Sequence, residues 1–146
     1  MNEETFNIGQ HTADLIITLQ GDSLPRLFNA AASGMFAAKI GIDIQDEYNG
    51  FVLSQEKKEN INISVDGYDW ESLLVNFLNE LIYLSDINHE IYTNFDFKKL
   101  EPNKLESSAQ KIFVSDFALV IKGATYHELK IQKLNDHYKT TIIFDI

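Results

Sequence analysis

The same pattern appears twice along the chain. Ile17-Thr18-Leu19 and Ile63-Ser64-Val65 are short runs of strand-forming character. Each reaches a glycine, Gly21 or Gly67, and then a helical spacing of apolar residues. At an offset of 46 residues (Ile17 to Ile63) the units superimpose without a gap, with Leu24 on Trp70, Leu27 on Leu73, Phe28 on Leu74, Ala31 on Phe77, Ala32 on Leu78 and Met35 on Leu81. A repeated strand, turn and amphipathic helix is a strong restriction, because each apolar face must be covered by another element. The matched glycines are expected to serve turns that need positive φ.

Between and around these units the chain reads as follows. The first helix is predicted over about 24–38, capped by Ser23 or Asp22, with Pro25 tolerated in its first turn and an end near Lys39, before Gly41. Residues 42–50 read as loop with a turn at Asn49-Gly50, and Phe51-Val52-Leu53 as a short strand or packing segment. Ile61, Ile63 and Val65 alternate with polar residues as a half-buried strand does. Asp69 caps a second helix over about 69–84 that buries Trp70, Leu73, Leu74, Phe77, Leu78, Leu81 and Ile82. Phe95 and Phe97 mark a strand, Pro102-Asn103 a turn, and residues 105–114 the next strand. A last hairpin is predicted from strands 126–134 and 138–146, turning at Asn135-Asp136. The expected fold is α+β: two nested strand-helix-strand-strand modules with mostly antiparallel sheet covered by two main helices. One domain spans 1–146, with an inner module (about 57–114) inserted in an outer one (about 11–40 plus 118–146).

Function classes narrow with composition. The chain has 146 residues, no cysteine and a formal net charge of −10. Absence of cysteine removes disulfides, thiolate metal sites and cysteine nucleophiles. The acidic balance repels nucleic-acid phosphates, so strong direct RNA or DNA binding is not expected, whereas basic protein partners and hard cations are favoured. Met1-Asn2-Glu3-Glu4-Thr5 lacks the apolar core of a signal peptide and no run is long enough to span a bilayer, so a cytoplasmic location with no membrane association is expected. Phosphate-binding glycine loops, GxSxG elbows and HExxH helices are missing from the sequence.

Two patches carry chemistry. His11-Thr12-Ala13-Asp14 leads into the first strand, and Asp145-Ile146 closes the last. If those strands pair, two carboxylates and the terminal carboxylate converge, an oxygen-only donor set suited to Ca²⁺, Mg²⁺ or Mn²⁺. Taken alone, an Asp at a strand mouth also serves as a turn or cap residue. The second patch is Lys122-Gly123-Ala124-Thr125-Tyr126-His127. In an extended conformation it puts Lys122, Ala124 and Tyr126 on one side and Thr125 and His127 on the other. A lysine on an apolar rim suits a phosphate or an acidic partner loop, and equally a snorkelling surface position. His89 and His137 lie in polar surroundings and receive no role.

In order along the chain, the HTAD tetrad, Gly21, the helix with Phe28, Ala30, Ala31, Gly34, Met35 and Phe36, the block Leu78-Asn79-Glu80-Leu81-Ile82-Tyr83, Lys122 with Ala124-Thr125-Tyr126-His127, and the terminal Ile143-Phe144-Asp145-Ile146 resemble the archease family. The resemblance implies the nested-module fold. It also implies a non-enzymatic role as protein cofactor of the GTP-dependent tRNA-splicing RNA ligase, promoting its guanylylation and multiple turnover in tRNA splicing and RNA repair. It implies a divalent metal, calcium being the ion expected to be seen bound, at Asp14 and Asp145 beside Ile146. Ligase activation would rest on His11, Asp14, Lys122 and Asp145, with Thr125, Tyr126 and His127 in support. Gly123 departs from the family pattern, in which alanine and a hydrophobic residue follow the lysine, and it would loosen that strand. Two other readings stand beside this one: a metal-dependent phosphoester hydrolase with His11 as base, and a binding module in which HTAD is structural.

Overall fold

The structure, a computed structural model, describes residues 4–10 and 14–146. It forms an α+β fold with two antiparallel sheets. In the first, β1 (Thr5–Gln10), β2 (Asp14–Gly21), β8 (Tyr138–Asp145) and β6 (Gly123–Ala124) lie in that order, and β7 (Gln132–Lys133) also pairs with β8. In the second, β3 (Lys58–Asp66), β5 (Lys104–Phe113) and β4 (Glu90–Glu101) lie side by side. The nested arrangement expected from the repeat is present. The three-stranded sheet is built from residues between the first helix and the returning strands of the five-stranded one.

Two long helices brace the sheets. α1 (Leu24–Ile40) packs on β1 and β2 and reaches β4, while α3 (Trp70–Asn88) packs on β3 and β4 and reaches β6. Phe28 of α1 meets Phe77 of α3 with ring centroids 5.9 Å apart, and Phe97 of β4 at 6.4 Å, so the two modules share one core. Each such side chain fully withdrawn from water contributes about 1.5–3 kcal/mol. Capping follows the sequence. Ser23 Oγ accepts from the Arg26 N–H at 3.3 Å, and Asp69 and Ser72 form a reciprocal capping box. The first helix ends where Gly41 adopts a left-handed φ of 82°.

The repeat glycines act differently from expectation. Neither Gly21 nor Gly67 has positive φ, which among the described glycines belongs to Gly41. They are needed for close approach: a Cβ at Gly21 would stand 2.6 Å from the Leu27 nitrogen, and one at Gly67 2.8 Å from the Leu73 nitrogen. Leu27 and Leu73 are themselves equivalent in the repeat, so each helix backbone lies on its own strand end in the same way.

Three further expectations change. Residues 42–53 are not loop and strand, because Gln45–Ser54 forms α2. Asp46 and Glu47 suit the first turn, and Tyr48 and Val52 make a narrow buried stripe, with Tyr48 edge-on to Phe6 at 6.2 Å. This stripe needs β1 as its partner. The alternation of Phe6 and Ile8 with Thr5, Asn7 and Gly9 was the unread signal for that strand. Second, of the predicted strand 126–134 only Gln132–Lys133 (β7) forms, and a separate short strand, β6, precedes it at Gly123–Ala124. Between them Leu129 N–H turns back to the Tyr126 carbonyl at 3.0 Å, with Glu128 at φ 53°. Side chains take over the ladder bonds: Glu71 accepts from the Ile131 N–H at 2.9 Å, and Thr140 Oγ1 donates to the Lys130 carbonyl at 2.8 Å. The hairpin turn at Asn135-Asp136 is present, closed by the Leu134 N–H donating to His137 O at 2.8 Å. Third, Lys122 and Tyr126 do not share a side with Ala124. Ala124 is buried and both of the others are exposed.

Candidate functional site

β2 and β8 pair in a register that sets Asp14 directly opposite Asp145. Side chains of opposed residues share a face, with Cβ atoms about 4.5–5.5 Å apart. Leu15 and Phe144, next in register, are buried toward the helices, so the two carboxylates occupy the outer face, Asp14 half-buried and Asp145 exposed. The Asp145 orientation away from Phe144 is the one expected from the sequence. Along the same face Ile16 opposes Ile143, and Thr18 Oγ1 lies 3.3 Å from Thr141 Oγ1.

Among the described residues neither carboxylate has a side-chain hydrogen bond or ion pair. Like charges opposed across a ladder are destabilising, and a cation between them would remove the repulsion. The donors fit a hard cation. They are oxygens only, and half-buried Ile146 follows Asp145 directly. Among the described residues no group of three or more His, Cys, Asp or Glu side chains is gathered closely enough to hold a metal. The chain would therefore supply an open, partial coordination shell, with water or a partner's oxygens completing it.

On the other side of β8, Gly123 opposes Asp145, and the Lys122 N–H donates to the Asp145 carbonyl at 2.8 Å. Backbone pairing thus sets Lys122 next to Asp145 on the far side of β8 from Asp14, and among the described residues its exposed side chain has no ion pair. Thr125, Tyr126 and His127 are occupied elsewhere. Thr125 Oγ1 donates to Ile143 O at 3.1 Å, Tyr126 Oη to Asn76 Oδ1 at 3.2 Å, and the His127 N–H to Thr125 Oγ1 at 3.4 Å. They secure the loop and make no bond to the carboxylates. His11 lies outside the described residues.

A cleft of about 480 Å³ lies at the opposite end of β2, walled by Arg26, Asn29, Tyr48, Val52, Phe95 and Phe97 and holding none of the candidate residues. Glu4 lines it, and burial raises its carboxyl pKa against the lowering effects of the Asn29 hydrogen bond and of Arg26. Reading α2 as a loop hid this cleft from the sequence. No helix is long and apolar enough to cross a membrane among the described residues.

Comparison with known proteins bears on both fold and site. Residues 6–146 match the model of the Archease protein family (MTH1598/TM1083). The protein archease of Pyrococcus abyssi is 33% identical over 144 residues, covering 87% of each chain. That of Saccharolobus islandicus is 33% identical over 147 residues, covering 97% of this chain and 99% of its own. The fold is also that of two solved structures. Methanobacterium thermoautotrophicum protein 1598 has a TM-score of 0.73 at 20% identity, covering 97% of this chain and 98% of its own. An archease described as a possible chaperone, from Thermotoga maritima, has a TM-score of 0.64 at 24% identity, covering 94% of both chains. With a family match that spans nearly its whole length, the chain belongs to the archease family.

Proposed function

We propose that this protein binds a divalent cation through Asp14 and Asp145, with Ile146 beside them, and activates a GTP-dependent tRNA-splicing RNA ligase. In this reading it is not itself an enzyme. It promotes guanylylation of the ligase and so its repeated turnover in tRNA splicing and RNA repair. The observation that carries the reading is the opposition of Asp14 and Asp145 in register, two carboxylates at one end of the sheet with no side-chain partner among the described residues, in a chain of this family.

When bound, the cation would supply positive charge able to orient phosphate oxygens. The chain's own residues would do the rest. Asp14 and Asp145 would fix that charge on a rigid pair of strands, and His11, three residues before Asp14 in the sequence, is proposed to share in ligase activation. Lys122 would offer a second cation, free to meet a phosphate or an acidic loop of the ligase. The formal net charge of −10 suits docking on a basic protein and argues against this chain holding the RNA itself.

The test mixes the protein with its ligase, GTP and a broken RNA bearing a 2′,3′-cyclic phosphate. Guanylylated ligase and joined product should both rise, and chelation of divalent ions from this protein beforehand should reduce the gain. Unchanged guanylylation and turnover would overturn the proposal.

A further inference from the structure

The five-stranded sheet has two edges, and a single side-chain carboxamide bonds the backbone at each. On β1, Gln45 Oε1 accepts from the Phe6 N–H at 3.2 Å while Gln45 Nε2 donates to the Glu4 carbonyl at 2.6 Å. On β6, Asn79 Oδ1 accepts from the Ala124 N–H at 2.8 Å while Asn79 Nδ2 donates to the carbonyl of the same residue at 3.3 Å. A carboxamide carries one acceptor and a donor group in one plane, the pair that a neighbouring strand would present. Each amide therefore stands in for a strand that is missing, and blocks an edge that would otherwise invite one.

The two clamps differ in what depends on them. β1 is paired with β2 over six residues, from Thr5 to Gln10, so its place is set by the ladder with or without Gln45. β6 pairs with β8 over two residues, Gly123 and Ala124. Its flanking bonds are the Lys122 N–H to Asp145 O at 2.8 Å and the Thr125 N–H to Ile143 O at 3.0 Å. So short a strand has little cooperativity of its own, and Asn79 supplies two of its bonds from a helix anchored by buried Leu78, Leu81 and Ile82. Gly123 takes part as well. A Cβ there would lie 3.3 Å from Asn79 Oδ1, so the glycine that the sequence marked as loosening the strand leaves room for the side chain that holds it.

We propose that Asn79 is a positioning residue for the Asp14–Asp145–Lys122 site. By clamping Ala124 it fixes where β6 lies against β8, and with it the place of the Lys122 backbone beside Asp145. The activity half of this inference rests on the ligase-activating reading, and the positional half stands on backbone geometry.

The experiment compares the full chain with Asn79→Ala, Asn79→Asp and Gln45→Ala, by amide hydrogen exchange under NMR and by ligase stimulation. In Asn79→Ala the Lys122 and Thr125 amides should lose protection while those of β2 keep it, and stimulation should fall by about tenfold or more. Asn79→Asp keeps the acceptor for the Ala124 N–H but sets a carboxylate against the Ala124 carbonyl, and should fall between the two. Gln45→Ala should lower thermal stability and leave stimulation within about twofold of the original. If Asn79→Ala fails to fold, Asn79→Asp decides by the same readouts. Retained protection at Lys122 and Thr125 overturns the inference, whatever happens to stimulation, and so does full stimulation with protection lost. If the unmodified protein does not stimulate the ligase, the functional reading fails, and the exchange result alone still upholds or overturns the positional claim.

Discussion

The two sheets present the same place in the fold with different chemistry. Asp14 opens β2, and its counterpart 46 positions on, Asn60, lies near the start of β3. Asp14 faces Asp145 across β8, whereas Asn60 faces Gln110 across β5. The inner pair is neutral and tied in, with Gln110 Oε1 accepting from Asn94 Nδ2 at 2.5 Å. The outer pair is acidic, with no side-chain partner among the described residues. A strand mouth in this architecture thus does not need carboxylates, and the module that has them pays a repulsive cost the other avoids. Such local departures from what the fold requires are where function is expected.

The comparison can be broken by making the outer mouth resemble the inner one. Asp14→Asn combined with Asp145→Gln should abolish calorimetric binding of Mn²⁺ or Ca²⁺ and return ligase guanylylation to the level without the protein. Folding stability should stay the same or rise by about 0.2–1 kcal/mol, because opposed like charges are gone. A variant that still binds the cation and still stimulates would remove these carboxylates from the mechanism.

A second comparison sharpens the likeness of the modules. Gly21→Ala and Gly67→Ala should each cost about 1–3 kcal/mol in urea unfolding, since the added methyl meets helix backbone that cannot step aside. Gly50, in the interior of α2 with nothing within 4 Å of an added Cβ, is the control. Gly50→Ala should gain about 0.5–1 kcal/mol from helix propensity. A large cost at Gly21 with none at Gly67 would show that the two helices do not sit on their strands alike.

How much of this could be read from the residues follows from how local the causes are. The repeat was legible because strand alternation, glycine and helical stripe are short-range patterns, and both helix caps, Ser23 and Asp69, sit where their residue types require. The meeting of Asp14 and Asp145 followed from the residues only on the condition that their strands pair, and the register that opposes them is set by the ladder of β2 and β8. α2 was not legible, since two buried residues, Tyr48 and Val52, make a stripe only once Phe6 lies beneath them. The shortening of the predicted strand 126–134 to Gln132–Lys133 depends on Glu71 and Thr140 taking bonds that a ladder would make, and the hold on β6 depends on Asn79. Those are choices made by partners from 10 to 60 residues away, and no window of sequence contains them.

The smallest effect concerns a pair of equivalent positions that touch. Lys39 is fully buried, and its Nζ donates to Ser85 Oγ and Asp86 Oδ1, each at 2.7 Å, with the Phe117 ring centroid 4.2 Å away. Lys39 and Ser85 stand 46 residues apart, so the repeat puts a lysine in one module against a serine in the other. Burial lowers the Lys39 pKa, and Asp86 offsets part of that shift. Because the folded pKa lies below the ordinary 10.5, the unfolded chain binds the proton more tightly between the two values. Stability should therefore rise with pH across that window and be flat below it. Ionisation of unfolded tyrosines near pH ~10 reverses the trend, as folding holds Tyr92 neutral with a pKa pushed up to about 12. In urea titrations approaching pH ~10 the original chain should gain stability, and Lys39→Met should lose that gain. At neutral pH the substitution should be close to neutral, because a buried ion pair replaced by an apolar side chain of similar length often costs little. A Lys39→Met chain whose stability still climbs with pH would mean that the alkaline gain has another source and that this contact between modules is simple packing.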